Sequence, residues 1–317
     1  MDNTEYYTIH PQVLRIDSEL PFNVYLKVKD GYSRLIQSGK KYTALIHIKI
    51  FKYSISSLYI EKESLNQYYK YLEDNFEMIF MDMLISIKSK AKITYELITH
   101  LAQITLENPK IGEVTRYKKQ IKYVTNFVFN NDDGINHLLP LTSTSYHEFN
   151  HLVNVGIYGL GLLKEVIGND DSHNNIEIAN GFFLHDIGYY SIPKEIIGKA
   201  GKLTDVEWNT IKKHPLIGYE MLRELGQMTE EVGIIIMQHH ERHNGMGYPK
   251  KILGDQIHIY SKICTIADTF DALTAQRPYR KAQSSFVALK TMQTEMNQDF
   301  DPKVFAKFVL MFSKSRQ

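Results

Sequence analysis

Gly181-Phe182-Phe183-Leu184-His185-Asp186-Ile187-Gly188 sets a His-Asp pair inside an apolar run. Such a pair is costly to bury unless each member finds a hydrogen-bond partner or a metal ion. A structural His–Asp hydrogen bond would meet that demand, and so would a cation. Four more fragments pose the same problem. His147 and His151 stand four apart, on one face of a helix running towards Ile167. Glu148 lies beside them, and Leu152, Val155, Leu162, Leu163 and Val166 form an apolar stripe. Gly156, Gly159 and Gly161 would let a neighbouring helix come close. Thr204-Asp205-Val206-Glu207 reads as a capping box opening a helix that ends near His214-Pro215. His239-His240-Glu241 follows the apolar run Val232 to Met237. Asp268 ends Ile263-Cys264-Thr265-Ile266-Ala267-Asp268, with Asp271 one turn on.

Pooled, these fragments offer His151, His185, Asp186, His214, His239, His240 and Asp268. Seven candidates exceed the four ligands of a closed structural zinc site, and they bring no thiolate set. Mixed imidazole and carboxylate ligands suit iron, manganese, zinc or nickel. Two divalent ions fit the inventory better than one, with both oxygens of Asp186 available as a bridge. Two ions would lower the pKa of a water and stabilise charge on attacking and leaving oxygens, so no protein nucleophile is needed. A serine or cysteine hydrolase has little support: Cys264 lies in an apolar run, and no Gly-x-Ser-x-Gly elbow occurs.

Composition narrows the setting. The chain has 317 residues, 43% hydrophobic and 23% charged, which excludes a wholly disordered chain. Lys plus Arg is 37 against 36 Asp plus Glu, so no global field favours general nucleic-acid binding. Eight of the 13 histidines fall between His147 and His243. The single cysteine fits a reducing compartment. Met1 to Glu5 carries no signal-peptide core, and the run Met78 to Ile87, broken by Asp82, is far short of the ~20 residues that span a bilayer. A cytoplasmic protein without membrane insertion is expected.

Along the chain, Pro21 to Val28 alternates, Asp30-Gly31 is a turn signal, and Tyr32 to Ile36 can return as a hairpin partner. Ala44 to Tyr53 fits a strand by its alternation and a buried helix by its length. Glu63 to Phe76 and Met78 to Phe129 read as helical, with a break at Glu107-Asn108-Pro109. The expected organisation is two-domain: a small α+β regulatory domain over 1–76, linking helices over 77–135, and an all-α helical bundle over 136–317. Asn130 to Gly134 is the linker candidate.

In order and spacing, these motifs resemble the HD-GYP family, a branch of the HD-domain metal-dependent phosphohydrolases. The resemblance covers about Tyr146 to Phe312. It rests on His151-Leu152-Val153-Asn154-Val155, His185-Asp186-Ile187-Gly188, Gly201-Lys202-Leu203-Thr204, His214-Pro215-Leu216-Ile217-Gly218 and His239-His240-Glu241. It continues through Gly247-Tyr248-Pro249, Ala267-Asp268-Thr269-Phe270-Asp271, Arg277-Pro278-Tyr279-Arg280 and Phe300-Asp301-Pro302.

The resemblance implies hydrolysis of cyclic di-GMP by a helical domain holding two, sometimes three, metal ions, iron first among them and manganese or another transition metal as alternatives. It implies that the seven residues above are the ligands, with Asp186 as the bridge and a catalytic group. In some members a glutamate one turn before the first histidine adds a third ion. His147 and Glu148 stand at i−4 and i−3 here and are the candidates for that extra ligand. Asp271, the second catalytic candidate, matches a position implicated in substrate contact, as do Arg277 and Arg280, and Gly247-Tyr248-Pro249 matches a loop given as a docking site for GGDEF-domain partners.

Three positions depart from the family pattern. Tyr189 replaces the lysine after His-Asp-x-Gly, Asn244-Gly245 replaces Asp-Gly, and Lys262 replaces the arginine before the final aspartate helix. Tyr189 and Lys262 remain candidate substrate contacts. The ligand set with altered substrate positions implies slow hydrolysis of a cyclic dinucleotide. The alternative is a catalytically impaired protein that serves as nucleotide receptor or interaction adaptor.

Overall fold

The computed structural model describes residues 4–142, 148–168, 170–199, 201–276 and 281–314, and only the backbone of residues 148 and 314. Its contacts divide the chain into Met1–Lys90 and Ala91–Gln317.

The first unit is α+β. Its strands are β1 (Tyr6–Ile9), β2 (Glu19–Leu20), β3 (Val24–Val28), β4 (Gly31–Ile36), β5 (Lys40–Lys41) and β6 (Leu58–Glu61). One antiparallel sheet has the order β1-β6-β3-β4, and β2 pairs separately with β5. The expected hairpin is present. Val28 pairs with Gly31, whose φ of 143° suits glycine at the turn. Period-two alternation buries Ile9, Leu58, Ile60 and Val24. Helix α2 (Leu65–Met81) buries Tyr68, Tyr71, Leu72, Phe76 and Ile79, with the rings of Tyr68 and Tyr71 edge-on to Phe22.

Ala44 to Tyr53 is no strand. It contains helix α1 (Ala44–Lys52), opened by Thr43, whose hydroxyl accepts from the Ile46 amide. Local capping settles what the alternation left open. Nor is the helix buried throughout: of its apolar residues Ile50 is enclosed, while Leu45, Ile48 and Phe51 face solvent.

The second unit is helical. Helices α3 (Ile87–Glu107), α4 (Ile111–Asn130), α5 (Gly134–Leu138), α6 (Glu148–Ile167) and α7 (Asn175–Leu184) come first. The α3–α4 break falls at Asn108-Pro109-Lys110, where proline cannot continue a helix. Asn130 to Gly134 is a tight connection within this unit, where the Asn131 side chain donates to the Phe127 carbonyl. Next come α8 (Lys194–Ile197), α9 (Asp205–Ile211), α10 (His214–Glu224), α11 (Glu230–Gln238), α12 (Ile259–Thr274), α13 (Ser285–Glu295) and α14 (Pro302–Lys314). The capping box is formed, with Thr204 and Glu207 bonding reciprocally, but α9 ends at Ile211 and His214 opens α10 instead of closing α9.

Glycines of α6 set its distance from α7. A Cβ on Gly156 would lie 2.5 Å from the Phe183 ring, and one on Gly159 would lie 2.8 Å from Phe182. That approach carries His151, near the start of α6, towards His185 at the end of α7. Gly156→Ala should therefore destabilise the chain by about 1–3 kcal/mol through overpacking, although alanine is the better helix former. Urea unfolding measures this, and a variant as stable as the parent would contradict it.

Candidate metal centre

Helix ends deliver most of the ligand-type residues. His185 follows α7, Asp186 precedes the short 3-10 turn Ile187–Ser191, His214 is the first residue of α10, and His239 and His240 follow α11. His151 and Asp268 come from within α6 and α12. The Nδ1 atoms of His185, His214 and His239 lie 2.8, 2.9 and 2.8 Å from the carbonyls of Phe182, Ile211 and Ile236. A carbonyl only accepts, so each Nδ1 carries a proton, and each ring turns its Nε2 inward.

Two of these Nε2 atoms, on His214 and His239, face one another at 3.1 Å. Facing lone pairs repel unless a proton or a metal cation stands between them. Burial lowers the pKa of His239, which disfavours the proton. Asp186 lies between two imidazole pairs. Its Oδ1 is 3.0 Å from His214 Nε2 and 3.3 Å from His239 Nε2, while its Oδ2 is 3.4 Å from the Nε2 atoms of both His151 and His185. Asp268 reaches His151 Nε2 at 3.3 Å and His240 Nδ1 at 3.6 Å. The ligand atoms form two groups: Asp186, His214, His239 and His240 in one, and His151, His185 and Asp268 in the other. Within each group they lie within 4.8 Å of one another. Buried Nε2 of His185, Oδ1 of Asp186 and Nε2 of His240 make no hydrogen bond. This donor chemistry fits divalent cations.

Charge follows the geometry. Burial opposes ionisation of Asp186, but His185, His214 and His151 outweigh it and hold the carboxyl well below its usual range. Asp268 behaves alike, with His151 and His240 overcoming burial. Burial disfavours charge on His151, yet Asp186, Asp268 and Asp271 raise its pKa well above the ordinary value. Burial and the neighbouring His239 push His240 well below it.

The other expected site residues are placed differently from one another. Asp271 is 1% exposed and faces no open space; it is no substrate contact here. One oxygen lies 2.8 Å from His151 Nδ1 and the other accepts from Asn154 at 2.8 Å, so Asp271 positions His151. Lys262 is also turned away, donating to Asp301 at 3.0 Å, and Asn244 bonds Asp299. Tyr189 stacks on His214 with centroids 4.4 Å apart. Tyr248 stacks on His240 at 4.6 Å, and Gly247 packs so tightly on the backbone of residues 240–242 that no Cβ would fit. Arg277, Arg280 and His147 lie outside the described residues, as does the side chain of Glu148.

Four supporting residues were missed by sequence reasoning. Asn154 holds Asp271. Buried Glu241 accepts from the amides of Lys250, Lys251 and Ile252, pinning the loop that carries Tyr248. Trp208 stands edge-on to Tyr248, and Arg242 has a buried Nη1 without a hydrogen-bond partner. Glu241 and Arg242 directly follow the paired histidines, which was the available signal. Asn154 stands in the His151-to-Val155 motif without a role having been drawn for it, and Trp208 offered no signal.

A cavity of about 920 Å³ opens over the cluster. His151, Asp186, His240 and Asp268 form its polar floor, while Leu152, Ile197, Leu203, Ile211 and Leu273 supply apolar wall. Lys199, Lys202 and Arg242 add positive charge, Lys199 being paired with Glu207 at 2.7 Å.

Residues 164–304 match the HD domain family, a span that starts after His151. The chain is 39% identical over 145 residues to the cyclic di-GMP phosphodiesterase response regulator RpfG of Xanthomonas campestris, covering 45% of this chain and 38% of that protein. It is 34% identical over 172 residues to a cyclic di-GMP phosphodiesterase of Pseudomonas aeruginosa, covering 54% and 41%. A 3'3'-cGAMP-specific phosphodiesterase of Vibrio cholerae is 33% identical over 156 residues, covering 49% and 33%. The chain thus spans about two fifths or less of the length of these curated relatives. An HDG"Y"P protein from Bdellovibrio bacteriovorus shares the fold, with a TM-score of 0.66 and 21% identity over 98% of this chain and 100% of that one.

Asp271→Asn should lower metal affinity by about 10–100-fold, because the amide offers one acceptor where His151 and Asn154 need two. Chelator competition measures it, and unchanged affinity would contradict the positioning role.

Proposed function

We propose that the chain, whose residues 164–304 match the HD domain family, belongs to the HD-GYP branch and is a metal-dependent phosphodiesterase hydrolysing cyclic di-GMP or a related cyclic dinucleotide. The observation that carries this reading is the Asp186 carboxylate, with one oxygen towards each of two histidine pairs beneath the cavity. Names of the relatives support the substrate class. In this reading all seven His and Asp residues hold two divalent ions, iron first among the candidates and manganese or another transition metal next, with Asp186 between them. Once bound, such ions supply an acidified water and neutralise developing charge on the phosphodiester.

The chain's own side chains do the rest. Asp271 keeps the His151 proton on Nδ1 and leaves Nε2 free to bind. Lys202 and Arg242 offset the substrate's negative charge, which otherwise repels an attacking oxygen. Apolar walls exclude bulk water, and the Trp208–Tyr248 pair offers ring faces against which a nucleobase can stack. One water is consumed as one P–O bond of the ring opens.

Tyr189 favours slow turnover. Its ring lies flat on His214, where a lysine would bring positive charge and a tyrosine brings a neutral donor and bulk. The same observation favours the second reading, an impaired receptor or adaptor that binds nucleotide without cleaving it. Docking of GGDEF-domain proteins on the Gly247-Tyr248-Pro249 loop is also proposed, with Met246 and Pro249 exposed. A cytoplasmic setting suits a soluble nucleotide substrate. No helix among the described residues is long and apolar enough to cross a membrane.

Product analysis of metal-loaded protein with cyclic di-GMP and with 3'3'-cGAMP tests both readings. Slow conversion to linear dinucleotide is expected, abolished in Asp186→Ala and raised in Tyr189→Lys by up to about 10²–10³-fold, the worth of one aimed donor. Nucleotide binding without cleavage by either form would favour the receptor. Neither binding nor cleavage would overturn both, and brisk parental hydrolysis unchanged in Tyr189→Lys would remove the tyrosine from the account.

A further inference from the structure

Helix α1 is amphipathic with the wrong side outward for an element meant only to pack. At 100° per residue, Ile46, His47 and Ile50 share the side that faces the protein, and Ile50 is enclosed. The opposite side presents Leu45, Ile48 and Phe51, exposed by 63%, 60% and 47%, and Tyr53 follows at 68%. Lys49 borders that stripe and Lys52 falls within it, between Ile48 and Leu45, both lysines being exposed. Neither forms an ion pair among the described residues.

The surrounding sequence has a matching charge bias. From Gly31 to Ile60 there is no aspartate or glutamate, while Arg34, Lys40, Lys41, Lys49 and Lys52 fall within the window. In a chain whose charges otherwise balance, this is a local concentration of positive charge. Glu19 stands opposite Lys41 in the β2–β5 ladder and offsets it. Lys40, Lys49 and Lys52 remain in or beside the apolar stripe or just ahead of it in sequence.

We propose that α1 is a peripheral docking surface for an anionic lipid bilayer. Charge complementarity selects this occupant. Exposed leucine, isoleucine and aromatic side chains can enter the headgroup boundary while Lys49 beside them and Lys52 among them, on long flexible stems, reach anionic headgroups. Protein–protein interfaces are depleted in lysine, and no acidic residue of the helix or its flanks would set a register with a partner chain. The contact is superficial: α1 has nine residues and lies along the boundary. It would bring the cavity-bearing unit to a membrane surface whatever that unit's substrate, so it does not depend on the proposed hydrolysis.

Co-sedimentation of the full chain with vesicles tests the surface. Vesicles of phosphatidylcholine and phosphatidylglycerol in equal parts should bind it, and vesicles of phosphatidylcholine alone should not. Raised salt should weaken binding. Lys49→Glu/Lys52→Glu should reduce binding at least about tenfold, as two charge reversals at an anionic surface require. Ile48→Ser/Phe51→Ser should also reduce it, with far-ultraviolet circular dichroism unchanged because the replaced side chains are exposed. Equal binding to both vesicle types, or charge-reversed protein that binds like the parent, would overturn the proposal. So would a concentration-dependent dimer abolished by Ile48→Ser/Phe51→Ser, because the face would then belong to a second copy.

Discussion

A carboxylate held among four imidazoles governs the helical unit. Asp186 is ionised against the penalty of burial because His185, His214 and His151 stand close enough to favour its charge. The same crowding points the Nε2 atoms of His214 and His239 at one another, an arrangement that a proton or a metal cation between them relieves. Helices α6, α7, α10, α11 and α12 must therefore end or cross within a few ångströms of one point. The positions that permit it are small. Gly156 and Gly159 admit the Phe183 and Phe182 rings, and Gly188 lies against the His214 carbonyl so tightly that any Cβ would collide.

Around that centre, backbone carbonyls do most of the orienting. Three histidines are fixed by the carbonyl three residues earlier, so helix termini select the tautomer and aim the ring together. His151, within α6 and without such a carbonyl, is oriented by Asp271 instead. Tyr189 and Tyr248 cover His214 and His240 with aromatic faces, which narrows the cavity floor. A buried carboxylate, Glu241, then ties down the loop that holds Tyr248 in place.

Much of this was legible because burying a His-Asp pair in Phe-Phe-Leu-His-Asp-Ile-Gly makes a demand that few structures can meet. Helical spacing and the capping box at Thr204 were equally readable. Lys262 and Asp271, expected to meet substrate, are paired with Asp301 and with His151 and Asn154, because sequence spacing does not tell which side of α12 opens on the cavity. The roles of Asn154 and Trp208 were not readable because they arise from residues more than thirty positions away, Asp271 and Tyr248. In the first unit, alternation in Ala44 to Tyr53 left strand and helix unresolved, and only the Thr43 cap and the exposure of Leu45 and Ile48 give that segment its meaning.

The central claim is that Asp186 joins two cation positions. Anomalous X-ray diffraction from crystals loaded with iron or manganese tests it directly. The account predicts two anomalous peaks, one among Asp186, His214, His239 and His240 and the other among His151, His185 and Asp268, with one Asp186 oxygen directed at each. A single peak under saturating metal, or two peaks of which Asp186 approaches only one, would contradict it.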